Sequence, residues 1–464
     1  MRRWSVIGLV LAFVAITAGS AFGAGFALIE QSVKGLGTAF SGGAAVAEDP
    51  STVYFNPAGM TRLEGQQATA GFHVIMPSAE FKLNSATNAP PLSQPIYSDA
   101  AGTTQNTSGD AGVVGTAPNL YYTHNLGNKW SVGFGVNVPF GLATEYDKNW
   151  VGRYHAVDSE VMTINLNPSV AYKVNDQLSL GFGVSAMYME AVLSQMIDFG
   201  LATFSVHSTP SLVSNPNMDV YSNMEADSWG YGFNLGALYE LNDNTRFGFS
   251  YRSEVEQDLE GTVDFVHPEA SVVGATLAGA AASNFPDQGV SGTITLPASA
   301  QMSVFHQLNS QWAVMADIMW TEWSSFEDLT IKFDQGIGTG LSKKQSVTQE
   351  QWDDNWRYSA GATFAPNENL ILRGGLAYDE TPIPDEYRTP RIPGTDRFWV
   401  ALGGGYVMDD WSFDAAYAHL FVDDSSVNLK TGTDPTSDEF GRGNLSGTYE
   451  NSVDIFSVEA SYKF

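Results

Sequence analysis

The sequence predicts an all-β protein, a 14-stranded antiparallel transmembrane β-barrel plugged by a small N-terminal hatch domain. Three observations support this prediction. Segments of about ten residues alternate strictly between apolar side chains and polar or very small ones. Short polar turns and long polar loops join these segments alternately. A stretch rich in glycine and alanine precedes all of them and suits a backbone folded tightly on itself.

The chain begins with a pattern typical of a secretory signal peptide. Arg2 and Arg3 precede an apolar run over 6–16, and small residues follow up to Gly23. A retained membrane anchor is the alternative, but the run is shorter than the ~18 apolar residues of a spanning helix. The predicted division of the chain is a signal peptide over 1–23, a hatch over 24–66 and a transmembrane barrel over 67–464.

Composition excludes several classes of function. The 51 acidic residues outnumber the 22 basic ones and give a net charge of −29, which argues against binding to nucleic acid. The chain has no cysteine, so disulfides, thiolate chemistry and cysteine-ligated metals are excluded. We expect neither a cofactor nor a metal site. Aromatic residues make up 12 % of the chain, yet the mean hydropathy is only −0.11, as expected when lipid-facing and lumen-facing residues alternate.

The alternation defines individual strands and their connections. In 356–364 and 178–188, every second residue is apolar and the residues between them are mostly polar or glycine. Six tight turns and seven long loops give thirteen connections and hence fourteen strands, an even number typical of bacterial outer-membrane barrels. The tight turns lie at 125–128, 175–176, 242–244, 309–310, 366–369 and 409–410. The long loops lie at 85–110, 143–158, 199–227, 265–289, 333–351, 382–396 and 426–446.

The C-terminus continues the pattern. Apolar residues alternate with polar ones from Phe456 to a terminal Phe464, as in the signal that the barrel-assembly machinery recognises. We therefore expect a cell outer membrane location in a Gram-negative bacterium, with outer-membrane lipid and lipopolysaccharide as surroundings. An alanine-rich stretch at 269–283 has the apolar spacing of a short helix, although it falls in a long loop.

Several motifs together resemble the FadL/TodX family of outer-membrane transporters for long-chain fatty acids and hydrocarbons. The resemblance runs along the whole chain in order and spacing. Its motifs are Gly25-Phe26, the run over 35–39, Ala47-Glu48-Asp49, Asn56-Pro57-Ala58, and the segments 139–146, 320–326, 373–379 and 393–399.

The resemblance implies a route for cargo. Loops 199–227 and 269–283 would meet in an external hydrophobic groove, and Phe26 and Leu28 near the mature N-terminus would lie inside the barrel. Cargo would leave sideways at a kinked third strand, here 129–142. Within it, Pro139 removes a ladder donor and Gly141 after Phe140 frees the backbone, although the strand could also simply end there. Asn56, Pro57 and Ala58 are expected to fix the hatch to the wall.

The binding pocket departs from the family pattern. Strand parity places Met187 and Met189 inside the barrel, where methionine adapts to varied apolar ligands. The basic pair that resembling fatty-acid transporters use for the carboxylate falls at Gln195 and Asp353, and neither is basic. Arg357, on the same face, could replace it, or could instead pair with Asp353 or Asp317. Long-chain fatty acids are the favoured cargo, with neutral aromatic or aliphatic hydrocarbons as the alternative.

The sequence disfavours two other classes of protein. An outer-membrane enzyme is disfavoured because the seven histidines are scattered and no Gly-x-Ser-x-Gly motif occurs. A general diffusion porin is disfavoured because about forty residues form a plug of small residues. The sequence therefore predicts an outer-membrane transport protein for passive uptake of hydrophobic small molecules that works without a cofactor and, as in the resembling family, as a monomer.

Overall fold

The structure is a computed structural model, and it describes residues 25–90, 92–96, 108–204, 210–432, 434, 437 and 439–464. The predicted signal peptide at 1–23 lies outside the described residues. Fourteen strands form one antiparallel sheet, and five of them have two segments. The strands are β1 Gln66–Thr87, β2 Gly115–Gly127, β3 Trp130–Asn137 and Gly141–Glu145, β4 Asp158–Lys173, β5 Leu178–Ile197, β6 Val220–Asn242, β7 Thr245–Arg252 and Val255–Val266, β8 Gln288–Leu296 and Ser299–Gln307, β9 Trp312–Thr321 and Asp328–Ile337, β10 Lys343–Gln349 and Asn355–Phe364, β11 Leu370–Asp379, β12 Arg397–Met408, β13 Trp411–Val422 and β14 Asn444–Lys463.

Pairing between the first and last strands closes the barrel. β1 pairs with β14 in an antiparallel register that runs from Gln67 opposite Lys463 to Thr87 opposite Asn444. The other strands pair with their neighbours in chain order. Two short strands, Ser108–Asp110 and Ser425–Leu429, extend the sheet beyond β1 and β14. The predicted 14-stranded barrel is therefore confirmed, and the pairing of β1 with β14 covers the edges that an open sheet would leave at its first and last strands.

The tight turns are confirmed, but several strands are longer than predicted. β6 has 23 residues and begins at Val220, inside the predicted loop 199–227. The prediction of a loop over 333–351 is wrong, because β9 and β10 continue there as an extended hairpin. In this hairpin Phe333 is buried while Lys332 and Asp334 are exposed, so the alternation that favours a strand continues beyond the part expected to cross the membrane.

The barrel has its apolar face outside. On β14 the side chains of Phe456 and Val458 are 49 % and 60 % exposed, whereas Ser457 and Glu459 between them are each only 4 % exposed. In a water-soluble barrel this arrangement would be reversed. A lipid-facing apolar band with a polar interior is the pattern of a transmembrane barrel.

The hatch fills the barrel with short helices. Each is only a turn or two long, because glycines and Asn56-Pro57 interrupt the chain. Ser32 caps the first helix by accepting a hydrogen bond from the Gly35 backbone. The elements are α1 Val33–Gly37, α2 Gly43–Val46, α3 Thr52–Phe55 and a 3₁₀ helix Pro57–Arg62; the outer loops add α4 Phe199–Ala202, α5 Ala270–Val273, α6 Ala275–Asn284 and 3₁₀ turns at Pro210–Leu212, Pro216–Met218, Trp323–Ser325 and Thr339–Leu341. The predicted helix at 269–283 is thus confirmed as the pair α5 and α6.

A buried charge network clamps the hatch to β11, β13 and β14. The Nζ atom of Lys34 lies 3.2 Å from Asp49, 3.7 Å from Asp414 and 3.8 Å from Glu459. Arg373 extends the network, with Nη1 2.7 Å from Asp414. Burial alone would lower the pKa of the Lys34 ammonium, but the surrounding carboxylates raise it above its usual value, so this lysine stays charged.

Glycines in the wall let the hatch approach closely. A Cβ atom on Gly181 of β5 would lie 2.2 Å from the Ala58 nitrogen, and one on Gly236 of β6 would lie 2.0 Å from Asn56 Oδ1. Real side-chain carbons do not approach other atoms this closely, so only glycine fits at these two wall positions. The wall and the hatch are therefore built to match one another.

We predict that Gly181→Ala loosens the hatch while the barrel still forms. The added methyl group overpacks the contact with Ala58, at a cost of about 1–3 kcal/mol. The measurement is trypsin cleavage after Lys34 or Arg62 in detergent-solubilised protein. The hatch of the variant should be cut at a lower temperature than that of the unsubstituted protein.

The matched control is Gly374→Ala, because a Cβ atom there meets only Leu402 Cδ2, at 3.8 Å. This control should be cut like the unsubstituted protein. Equal cleavage of all three proteins would contradict the close-fit account.

Candidate functional site

The third strand is broken where the sequence predicts a kink. β3 pairs with β4 up to Asn137 and resumes at Gly141, so 138–140 leave the strand. Pro139 and Phe140 lie inside this break, and Gly141 begins the second segment. The alternative, that the strand ends there, does not fit, because Gly141–Glu145 continues along β4.

The N-terminal residues 25–31, which we call the tail, pair with the broken segment. The Leu28 amide donates a hydrogen bond to the Pro139 carbonyl at 2.8 Å, and the Gly141 amide donates to the Phe26 carbonyl at 2.9 Å. The Gln31 side-chain amide donates to the Val138 carbonyl at 2.6 Å. The tail thus provides backbone partners that a neighbouring strand would otherwise supply.

The same break interrupts the wall between β2 and β3. Within the described residues 108–204, the last ladder pair is Leu120 with Val136, and the next bridge joins Gly112 to Thr144 in the same register. The pairing between β2 and β3 is therefore interrupted, but its register does not change. The interrupted stretch of β3 pairs with the tail rather than with β2.

The ring of Phe26 occupies an aromatic box. Its centroid lies 4.8 Å from that of Trp323, 5.9 Å from those of Phe326 and Trp352, and 6.1 Å from that of Phe140. Gly25, with a φ of 65°, is required beside it, because a Cβ atom there would lie 2.6 Å from both tryptophan rings. The tail therefore fills, with one benzene ring, a site shaped for such a ring.

An inner cavity of about 90 Å³ lies next to the box. Its lining is mostly apolar and includes Leu28, Phe55, Phe140, Trp323 and Trp399. Four charged side chains also line it, those of Glu30, Arg252, Arg357 and Asp379. A mostly apolar hollow with a few fixed polar groups is typical of a ligand site.

Arg357 is the least satisfied cation of this cavity. Its side chain is 5 % exposed, Nη2 donates to the Ala39 carbonyl at 2.9 Å, and the guanidinium lies 5.0 Å from the Trp399 ring centroid. Nε and Nη1 have no hydrogen-bond partner among the described residues. A buried charged donor without a partner is costly, so a ligand that accepts these hydrogen bonds would be stabilised.

The alternative role for Arg357, an ion pair with Asp353 or Asp317, is not found in the part of the chain that the structure describes. Asp317 instead accepts hydrogen bonds from Gln301 and Ser303. In the tail, burial raises the pKa of the Glu30 carboxyl to about 7, which reduces the negative charge it brings to the cavity.

The other predicted pocket residues divide into two groups. Leu28, Met187 and Met189 are fully buried, and both methionines belong to the same apolar cluster as Phe26 and Phe140. Gln195 and Asp353 do not join them.

Gln195 lines a separate outer cavity and accepts a hydrogen bond from Arg391 at 3.2 Å. Asp353 is exposed and lines neither cavity, so the structure does not place it at the pocket position suggested by register. The reason is that the strand segment Asn355–Phe364 begins only after Asp353, and the alternation cannot be extended back to it.

The outer cavity has a volume of about 480 Å³ and lies between the outer loops. Its apolar side is formed by phenylalanine rings: Phe285, which follows α6, lies 6.2 Å from Phe199 of α4 and 5.7 Å from Phe265. Lys343 and Arg442 lie on the polar side. Loop 199–227 and the long loop 265–289 therefore meet around an amphipathic hollow. The stretch 269–283 adds none of the described lining residues and instead packs beside Phe199 and Phe285 through Ala281.

A second cluster of buried acids supports this cavity. Asp198 caps α4 by accepting a hydrogen bond from the Leu201 amide at 2.8 Å, and it also accepts one from Ser214. Burial, together with the nearby Asp219 carboxylate, raises the pKa of Asp198 to about 7. Arg153 compensates part of this charge, because its Nε atom donates to Asp219 at 2.6 Å.

Sequence reasoning missed much of the site. Four residues that the sequence does not predict as binding residues are buried at or beside the inner cavity: Trp323, Trp352, Trp399 and Asp379. Trp323 lies in a break of β9 between Thr321 and Asp328, where strand parity gives no direction for the side chain. The resembling motif at 320–326 was the signal that could have identified it.

The predicted anchor Asn56-Pro57-Ala58 connects the hatch to β6. Asn56 Nδ2 donates to the Ala44 carbonyl at 2.6 Å and to the Ala237 carbonyl at 3.0 Å, and Asn56 Oδ1 accepts from the Ala58 amide at 3.1 Å. One fully buried side chain thus joins α2, the 3₁₀ helix and the barrel wall.

Within the described ranges, no group of three histidine, aspartate or glutamate side chains is arranged to hold a metal ion. None of the described helices is long and apolar enough to cross a membrane.

Comparison with known proteins shows what the chain is similar to. The family model for outer membrane protein transport proteins (OMPP1/FadL/TodX) matches residues 14–464. The long-chain fatty acid transport protein of Escherichia coli is 30 % identical over 421 residues, covering 88 % of this chain and 89 % of the relative.

Solved structures show the same similarity. A FadL homologue of Pseudomonas aeruginosa superposes with a TM-score of 0.83 at 28 % identity, covering 95 % of this chain and all of the other. The toluene transporter TbuX of Ralstonia pickettii superposes with a TM-score of 0.65 at 18 % identity, covering 94 % of this chain and all of TbuX, which shows a shared fold.

We predict that Asn56→Ala leaves the barrel folded but loosens the hatch and lowers uptake of hydrophobic cargo. The substitution removes three hydrogen bonds of a buried side chain, and each buried backbone group left without a partner costs about 1–3 kcal/mol. Uptake of a fluorescent fatty acid by cells would be compared at equal amounts of surface protein. Unchanged uptake would refute a role for this anchor in transport.

Proposed function

We propose a cargo and a route for this chain, starting from its membership of the OMPP1/FadL/TodX family of outer membrane transport proteins. Family members are transporters rather than enzymes, and the protein is an outer-membrane transporter of hydrophobic substrates. The proposed cargo is long-chain fatty acids, taken up passively and without a cofactor. The E. coli relative is named for the same cargo.

Arg357 carries the proposal for an acidic cargo. The inner cavity is apolar, and a fatty acid needs a partner for its carboxylate if the acyl chain is to be buried there. One of the unpartnered nitrogens of Arg357, together with the second proton of Nη2, can hold a carboxylate in bidentate fashion. The acyl chain would then lie along Trp399, Phe55 and Leu28, where burial of apolar surface contributes ~25 cal/mol per Å².

The proposed route has three stages. Cargo first settles in the outer cavity, whose phenylalanine rings take the chain while Lys343 and Arg442 attract the carboxylate. It next enters the inner cavity when the tail withdraws Phe26 from its aromatic box. It finally leaves sideways through the interruption between β2 and β3, past Pro139, Phe140 and Gly141. Asn56, Pro57 and Ala58 keep the hatch in place meanwhile.

Neutral hydrocarbons are the second candidate cargo, and the Phe26 box favours them. A benzene ring already lies between Trp323 and Trp352 in an edge-on arrangement typical of aromatic pairs. Once the tail leaves, the same box would take the ring of a monoaromatic compound without any charged partner.

Other properties of the protein complete the proposal. We propose that the chain itself has no enzymatic activity, that its residues 1–23 are removed on export, and that it works as a monomer. The barrel-assembly machinery would insert it by recognising the alternation that ends at Phe464, and outer-membrane lipid and lipopolysaccharide would surround the exposed apolar band.

We predict that Arg357→Met weakens binding of oleate about 10- to 100-fold, the loss expected for a charge-assisted hydrogen bond worth about 1.5–3 kcal/mol. The measurement is a titration of purified protein with a fluorescent long-chain fatty acid, competed separately by oleate and by toluene. Arg357→Lys should retain part of the oleate affinity, because it keeps the charge but loses the planar fork.

Toluene is the internal control, since a neutral ligand should compete equally in the unsubstituted protein and in Arg357→Met. Competition by toluene alone in the unsubstituted protein would overturn the fatty-acid proposal and leave the hydrocarbon candidate. Equal oleate affinity in all three proteins would show that Arg357 is not the carboxylate partner.

A further inference from the structure

A proline-rich loop reaches across the outer mouth of the barrel. It joins β11 to β12, and its segment 382–394, which we call the strap, has prolines at positions 382, 384, 390 and 393. Because proline fixes one backbone dihedral, the strap is stiff. The Arg391 side chain near its tip contacts β4 and β5, which lie on the opposite side of a 14-stranded barrel from β11 and β12.

The Arg391 side chain pins the strap to this far wall. Nη1 donates to the Asp158 carbonyl at 3.1 Å and to Ser159 Oγ at 2.8 Å. Nη2 donates to the Ser194 carbonyl at 3.1 Å and to Gln195 Oε1 at 3.2 Å. All four acceptors are uncharged, and the bond to Gln195 is the longest. A carboxylate oxygen would be a stronger partner for this guanidinium than the amide oxygen is.

The strap touches both the outer cavity and the aromatic box. Gln195 lines the outer cavity, whereas Ile383 and Ile392 of the strap pack in the apolar cluster that contains Phe26. The described residues that line the outer cavity include none of those that line the inner cavity. A molecule that moves from Gln195 toward Phe26 therefore passes the strap.

The surroundings of Arg391 are short of negative charge. Burial and then the nearby Arg442 guanidinium lower the pKa of Arg391 to about 10, so it stays charged at neutral pH. Burial raises the pKa of the Glu350 carboxyl beside it to about 8, so this group is mostly neutral. The Asp158 carboxylate already accepts hydrogen bonds from two hydroxyl groups. An arriving carboxylate would therefore be attracted to the two guanidiniums.

The tip of the strap also braces the wall beyond the break in β3. Thr144, in the second segment of β3, donates from Oγ1 to the Arg391 carbonyl at 3.2 Å, and the Tyr146 hydroxyl donates to the Pro390 carbonyl at 2.8 Å. Within the strap, Arg388 donates to the Gly394 carbonyl at 3.1 Å. The strap thus holds its own shape, and its tip can move without unfolding it.

We propose that Arg391 is a latch operated by the cargo carboxylate: an ionised cargo in the outer cavity takes Nη2 from Gln195, and the strap then opens the passage to the aromatic box. The inference rests on the proposed function and deepens it by naming a residue that selects for charge. A carboxylate can accept two parallel bonds from one guanidinium edge, which a neutral chain cannot do. Arg391 acts during passage, whereas Arg357 holds the carboxylate at the end of it.

The test measures how fast cargo reaches the inner cavity. A stearic acid brominated in the middle of its chain quenches nearby tryptophans. Trp323 lines the inner cavity, and the described lining of the outer cavity contains no tryptophan. The part of the quenching that is lost in Trp323→Phe therefore reports arrival. In alkaline buffer the acid should arrive about 10-fold faster than the alcohol of the same chain, the advantage of a charge-assisted hydrogen bond.

Arg391→Met should make the acid and the alcohol arrive at the same rate. Arg391→Lys should keep part of the difference, because it keeps the charge but loses the planar fork. Ser159→Ala is the matched control, since it removes one bond of the same pin and leaves the guanidinium, so the preference for the acid should remain. Gel mobility would show that each variant has a folded barrel.

A preference for the acid that persists in Arg391→Met would overturn the latch, and so would its absence from the unsubstituted protein. Failure of the latch is distinguishable from failure of the proposed function. The proposed function fails if oleate does not bind through Arg357 at equilibrium, whereas the latch fails on relative arrival rates in a protein that binds the acid.

Discussion

Buried backbone N–H and C=O groups that lose one hydrogen-bond partner need another, and this constraint shapes the site. Where β3 breaks at 138–140, it gives up regular pairing, and the tail supplies hydrogen bonds to Pro139 and Gly141 in its place. Because the tail can only do this from inside the barrel, it also brings Phe26 into the aromatic box. Break, tail and occupied box therefore form one connected arrangement.

The same arrangement explains why the interior can hold charges. Barrel walls of this kind put polar side chains inside, and the hatch must match them. Around Lys34 opposite charges are paired, with carboxylates of Asp49 from the hatch and of Asp414 and Glu459 from the wall within 3.8 Å of its Nζ atom. Around Arg357 the match is incomplete, since two nitrogens are left without a partner among the described residues. The cluster around Lys34 holds the hatch in the barrel. The unpartnered nitrogens of Arg357 can donate hydrogen bonds to a ligand.

Sequence alone predicted the barrel well because the signal is simple. A period of two, carried by pairs such as Phe456 and Ser457, sets strand identity and the side on which each residue lies. The tight turns and the break at Pro139 follow from turn chemistry and from the missing proline donor. Strand length was less predictable, because alternation continues into Phe333 and its neighbours beyond the apolar band.

The pocket was less predictable than the wall. Parity correctly buried Met187, Met189 and Arg357, since they lie within regular strands. Parity gave the wrong side for Asp353, which lies just outside a strand. It could not predict the direction of Trp323, because that residue lies in a break of β9. The tail and the hatch follow no periodicity, so the contacts of Glu30, Phe40 and Phe55 arise only from the folded chain. The candidate site lies where the regular pattern stops.

The most direct test of the account is a crystal structure of the protein with a long-chain fatty acid that carries bromine at its methyl end. The account predicts the carboxylate within hydrogen-bond distance of Arg357 and the bromine signal along the apolar cavity toward Trp323, with Phe26 displaced from its box. A carboxylate bound elsewhere, or bromine found only in the outer cavity, would contradict it.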